Sequence, residues 1–92
     1  MIDDPESFKN LSSEHQREVK DALRQLSMAM IYGAIGGEWV SPDRQRAQAV
    51  ADVFTALLID NQRRGGTSTA VTTLIDRQDG STTVSIVLGT RA

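Results

Sequence analysis

The chain contains no cysteine. Disulfide staples, thiolate zinc sites and cysteine nucleophiles are excluded together, and packing alone must hold the core. Histidine occurs once, as His15 beside Glu14 and Glu18. That cluster lacks further ligands of the usual kinds, so a solvated histidine and no metal centre are expected. There is no excess of positive charge, since 10 Lys and Arg against 12 Asp and Glu leave a net charge of −2. Counterion release therefore gives no overall drive towards nucleic acid. No apolar run is long: residues 25–37 carry no charge, but a membrane span needs ~18–20 residues. The opening Met1-Ile2-Asp3-Asp4-Pro5-Glu6 is acidic where a secretory signal is basic and then apolar, which predicts a cytoplasmic protein. No G-x-S-x-G or G-x-x-x-x-G-K-[ST] motif occurs, and the paired acids Asp3-Asp4 sit at the terminus. No catalytic residue, cofactor or metal is assigned, and the chain is read as not being an enzyme.

What is present is periodicity, over 92 residues that suit one small domain, 1–92. Asp4-Pro5-Glu6 reads as a cap, a proline at the first helical position and a first-turn acid. It predicts a short helical turn within an N-terminal segment, 1–11, that carries Phe8 and Leu11 towards the core. Ser12-Ser13-Glu14 opens a longer helix, with Ser13 and Gln16 at capping-box spacing. Val19, Leu23, Leu26, Met30 and Gly33 recur at steps of four and three, flanked by Ala22 and Ala29. This stripe predicts a helix over residues 13–35, closed by Gly36-Gly37. Arg17, Asp21 and Arg24 have ion-pair spacing on its other face.

Ser41-Pro42-Asp43 supplies a second start, as cap, proline and acid. Ala47, Val50, Phe54 and Leu57 form the next stripe, widened by Ala49, Ala51, Val53 and Leu58. Arg63-Arg64 fall in its last turn and Gly65-Gly66 close it. Glu38-Trp39-Val40 reads as a short connection with Trp39 plugging the end. Residues 12–64 are thus expected to form an antiparallel helical hairpin.

Residues 67–75 and 81–88 are rich in β-branched side chains, with Asp76-Arg77-Gln78-Asp79-Gly80 between them. A type I turn with a left-handed Gly80 bulge sets Leu74 opposite Val84, Thr72 opposite Ile86 and Ala70 opposite Leu88. The result is a C-terminal β-hairpin, 67–89, packed on the helices. The fold class is α+β, in the order α-α-α-β-β.

Two strands leave apolar surface uncovered, because an isolated ribbon is marginal and these strands carry no Lys or Pro at their edges. Residues 28–35 are apolar all round the helix, which asks for burial on more than one side. A homo-oligomer, with a dimer favoured, is therefore expected through Met28, Ile31, Ile35, Val71, Ile75 and Val87. A protein partner is the broader form of that reading. Small residues at Ala29, Gly33 and Gly37 suggest close helix packing against Ala47, Ala49 and Ala51.

The segment Arg63-Arg64-Gly65-Gly66-Thr67-Ser68-Thr69 combines guanidinium groups, glycines and hydroxyls, which can hold a small anionic ligand such as a nucleotide. Tyr32 or Trp39 could stack on such a ligand. The leading expectation is a small non-catalytic oligomerising binding protein (an adaptor, inhibitor or assembly component). Anion binding or sequestration at Arg63, Arg64, Thr67, Ser68 and Thr69 is the alternative.

Overall fold

In the computed structural model, which describes residues 4–90, two left-handed glycines decide where the long helices stop. Helix α1 spans Glu6–Lys9 and α2 spans Ser13–Ile31. After α2 comes strand β1 (Gly36–Ser41), then helix α3 (Arg44–Arg63) and strands β2 (Ser68–Asp76) and β3 (Thr82–Thr90). Asp3 of the N-terminal acid pair lies outside the described residues.

Gly33, at φ +96°, follows the α2 cap residue Tyr32. Its N–H donates to the Met30 carbonyl and that of Ala34 to the Ala29 carbonyl, both at 3.0 Å, the paired bonds of a Schellman stop. The expected end at Gly36-Gly37 is thus corrected, because Gly33 already offers the left-handed residue. Gly65 (φ +90°) ends α3 in the same way, with Gly65 N–H on the Gln62 carbonyl and Gly66 N–H on that of Asn61. That end is where the sequence placed it.

The helix starts shift by small amounts. Ser12 caps α2 through the His15 N–H, and Gln16 donates to the Phe8 carbonyl at 3.2 Å instead of closing a capping box. Asp43 caps α3, accepting from the Arg46 N–H at 2.9 Å. Ser41 is the buried last residue of β1, and its hydroxyl donates to the Asp43 carbonyl at 2.7 Å. Pro5 takes the cap position of α1 without a side-chain bond.

An early stop at Gly33 frees the following residues for a strand. Residues 36–41, expected as part of a helix and a connection, form β1, which pairs antiparallel with β3. The sheet order is β1-β3-β2, with β2 also antiparallel to β3. The fold is α+β as expected, but its sheet has three strands and the simple helical hairpin is replaced by α2-β1-α3. Since β1 and β2 both oppose β3, they run parallel with β3 between them. Parallel strands need a long crossover, and α3 is that crossover.

The β2–β3 register is the expected one, including Leu74 with Val84 and Ala70 with Leu88. Arg77 N–H donates to the Ser81 carbonyl at 2.8 Å and Gly80 sits at φ +88°, as the turn chemistry requires. The inner face packs Val84 and Ile86 with Val19, Ala22, Leu23 and Leu26 of α2 and Ala47, Val50, Ala51 and Phe54 of α3. Trp39 faces this core from β1 opposite Val84, half-buried, and does not plug a helical turn. Ala29 and Gly33 are exposed, so the small-residue stripe is not a helix-packing face. Only Gly37 makes a close approach, where a Cβ would lie 2.9 Å from Leu26 Cδ2.

Ion pairs join elements. Arg46 reaches Glu18 on α2 and Asp43, the cap of its own helix, each at 3.0 Å. Arg44 meets Asp76 at 2.5 Å and the Gln62 amide donates to the Ser68 carbonyl at 3.1 Å. From Arg44 to Gln62 is ~27 Å of helix and from Ser68 to Asp76 is ~26 Å of strand, so α3 lies along β2 and runs opposite to it. The Arg17–Asp21 and Asp21–Arg24 spacings form no ion pair among the described residues.

Two glycines separate backbone cost from steric cost. Gly33→Ala meets open space but a positive φ, and should cost about 1 kcal/mol. Gly36→Ala would press Cβ onto the Ile86 carbonyl oxygen and Val87 Cα, within the β1–β3 pairing, and should cost about 3 kcal/mol. Urea unfolding of both variants measures the order, and the opposite order would show that β1 does not pair so closely.

Candidate functional site

The helices cover only one face of the sheet. On the other, β1 contributes Glu38 and Val40, β3 contributes Thr83, Ser85 and Val87, and β2 contributes Val71, Thr73 and Ile75. Val40, Val71 and Val87 are 59%, 67% and 55% exposed. Glu38 is the one charged strand residue among those eight. Thr83 is buried on this face, its hydroxyl accepting from Arg77 Nε at 3.1 Å. Arg77 thereby folds back over one end of the face, beside a shallow depression bounded by Glu38, Val40, Asp79 and Ser81.

The two strand edges differ. Leu88 N–H donates to the Ile35 carbonyl across the β1 side, so alternate residues of β3 point their backbone groups to β1 and the others to β2. By the same alternation, β2 turns the N–H and C=O groups of Ala70, Thr72 and Leu74 outward. Ser68 also faces out, and its carbonyl is taken by Gln62. The β1 edge is short, carries Glu38 and is followed by Pro42. The β2 edge spans nine residues and carries no charge before Asp76. Among the described residues no strand pairs along it.

A third feature lies where α2 and α3 end. An open groove of about 440 Å³ runs between Met30, Ile31, Phe54, Leu57, Leu58 and Leu88. It adjoins a smaller hollow at Ala34 and Ile35 through Ser68 and Leu88. The six apolar residues expected at an interface therefore fall in two places. Ile31 and Ile35 line this end, with Met28 exposed on the last turns of α2. Val71, Ile75 and Val87 lie on the open sheet face. All six are exposed.

No family model, curated protein or solved structure matches the chain. Its site is therefore read from its own geometry.

Arg63 is the last residue of α3 and Arg64 its cap. Arg64 Nε pairs with Asp60 at 3.2 Å. The N–H groups of Arg64, Gly65 and Gly66 all donate back into helix carbonyls, so they are not free to cradle an anion. The helix C-terminus adds a negative dipole end. Thr67 and Ser68 are exposed and Thr69 is half-buried. Tyr32, 82% exposed, caps α2. Trp39 stands on the far strand, ~10 Å across the sheet and ~20 Å along it from Ser68, so it does not join the arginine segment. Among the described residues no group of three His, Asp or Glu side chains is placed to hold a metal, and no helix is long and apolar enough to cross a membrane.

Sequence reasoning missed Val40 and the whole of β1. The signal was present as the alternation of Glu38, Trp39, Val40 and Ser41, but it is short and sits beside glycines that read as a helix stop. It also missed the bracing of β2 by Arg44 and Gln62, since residues so distant in sequence carry no spacing rule.

Asp76 closes the lower end of β2. The Arg44 guanidinium, and then the Thr82 hydroxyl at 3.0 Å, hold its carboxyl below the usual value of 3.8. A carboxylate with a lowered folded-state pKa adds stability above its unfolded pKa and loses it as pH falls through the folded one. Asp76→Asn should therefore lower the urea midpoint at pH 7, and the gap to the parent should shrink below pH 3.8. A gap that is unchanged or wider in acid would remove Asp76 from this role.

Proposed function

We propose that this protein is a small non-catalytic binding protein that self-associates and acts through protein–protein contacts, as an adaptor, an inhibitor or an assembly component does. The observation that carries this reading is the uncovered outer face of the sheet, where Val71 and Val87 pair across β2 and β3 and Val40 and Ile75 stand in a second row, all exposed. Several exposed apolar groups gathered on one uncovered face, unlike single scattered ones, point to an interaction surface. A second copy is the partner best matched to this surface, because the face is nearly neutral and meets its own image without opposing charges. Symmetric pairing of identical surfaces is also the commonest mode of assembly.

The apolar groove between the ends of α2 and α3 and the exposed Ile31 and Ile35 support the same reading from the other layer. The net charge of −2 favours a reading without a nucleic-acid partner. The Arg63–Thr69 segment is read as a helix stop, the N–H groups of Arg64, Gly65 and Gly66 being already engaged.

Light scattering coupled to size exclusion, from roughly 10 to 300 µM, tests the reading. The expected species has twice the 10.0 kDa chain mass, with dissociation on dilution. A monomer across the whole range would overturn self-association.

A further inference from the structure

Of the surfaces left open, the β2 edge specifies a partner most narrowly, because main-chain groups demand a matched strand. Ala70, Thr72 and Leu74 point their N–H and C=O groups away from β3, and the segment carries no Pro, Lys or bulge to blunt it. The flanking positions are closed: Gln62 occupies the Ser68 carbonyl and Arg44 holds the Asp76 side chain. What stays open is a centred set of three residues. The strand is also self-complementary about its middle. Reversed on itself at Thr72, it sets Ala70 opposite Leu74, Val71 opposite Thr73, Thr69 opposite Ile75 and Ser68 opposite Asp76. Small residues then meet large ones, and no two like charges face each other.

We propose that two copies pair β2 with β2, antiparallel about a two-fold axis through Thr72, to give one continuous six-stranded sheet. The inference rests on the self-association reading above but places the seam at the β2 edge instead of on the sheet face, which it leaves open. Ala70, Thr72 and Leu74 of the two copies exchange about six main-chain hydrogen bonds. The same register carries the Asp76–Asp79 turn of one copy alongside Gly65–Thr67 of the other, next to Arg63 and Arg64. Arg63 makes no ion pair within the described residues of its own chain, so Asp79 of this turn provides its counter-charge, Asp76 being paired with Arg44 and Arg77 being held back on Thr83. Since α3 lies along β2, Thr55 and Ile59, on the helix stripe of Arg44 and Gln62, flank the seam. Ile59 is exposed in the single chain. The seam joins the two open sheet faces into one platform.

The absence of native cysteine makes a cross-linking test clean. Val71 and Thr73 are exposed and form a non-hydrogen-bonded pair across the seam, where Cα atoms lie ~4.5 Å apart, within disulfide reach. The doubly substituted chain, Val71→Cys with Thr73→Cys, should give a covalent dimer on mild oxidation. Val40→Cys, at the opposite side of the sheet, should stay uncross-linked under the same conditions. In the parent protein, amide exchange at Ala70, Thr72 and Leu74 should slow about tenfold or more between dilute and concentrated samples. Val71, Thr73 and Ile75, already bonded to β3, should change little. A protein that is dimeric by light scattering but shows neither the cross-link nor this alternating protection would overturn the seam and leave self-association standing. A strictly monomeric protein would overturn both.

Discussion

The last strand of the chain is the middle strand of the sheet, and the rest of the structure depends on that double pairing. β3 bonds β1 along one side and β2 along the other. Until residues 82–90 are in place, the two earlier strands have no partner and the helices have no sheet to pack on. Val84 and Ile86, at the centre of β3, are correspondingly almost wholly enclosed. Because β1 and β2 are parallel and separated by β3, the helix between them must travel the length of the sheet. The matched lengths of α3 and β2, tied at both ends by Arg44–Asp76 and Gln62–Ser68, meet that requirement.

With both long helices and α1 on one side, the second face of the sheet has only its own side chains. Its composition suits half-exposure: threonine and serine alternate with valine and isoleucine across the three strands. Charge is confined to Glu38 and to the hairpin end, where Arg77 and Asp79 are each held by a local hydroxyl. The arrangement leaves apolar surface and one long free edge on the same side of the molecule. Among the described residues no group of three His, Asp or Glu side chains is placed to hold a metal ion.

Much of the candidate surface was legible beforehand. The β2–β3 register follows from Asp79-Gly80, because a type I turn with a left-handed glycine admits one alignment. That alignment alone sorts Val71, Ile75 and Val87 from Leu74, Val84 and Ile86. The stop at Gly65 and the apolar stripe of α3 were legible for the same reason, being set by neighbours within a few residues. The stop at Gly33 was not, since three glycines at 33, 36 and 37 compete as terminators and only packing selects among them. Once the helix ends at Ile31, Glu38-Trp39-Val40 has the length and alternation of a strand. Val40 then joins the exposed face.

The sequence by itself determined the elements whose causes are local: the helical stripes, the approximate places where the long helices begin, the hairpin turn and its register, and the absence of thiol chemistry. Tertiary structure decided the rest. Which glycine ends α2, whether residues 36–41 join a sheet, and which edge of the hairpin stays open depend on contacts between residues far apart in the chain. Strand pairing of this kind is set by the backbone groups of both partners together, and neither segment encodes its partner alone. The β3 edge that the sequence left open is filled by β1, and the open edge that remains belongs to β2.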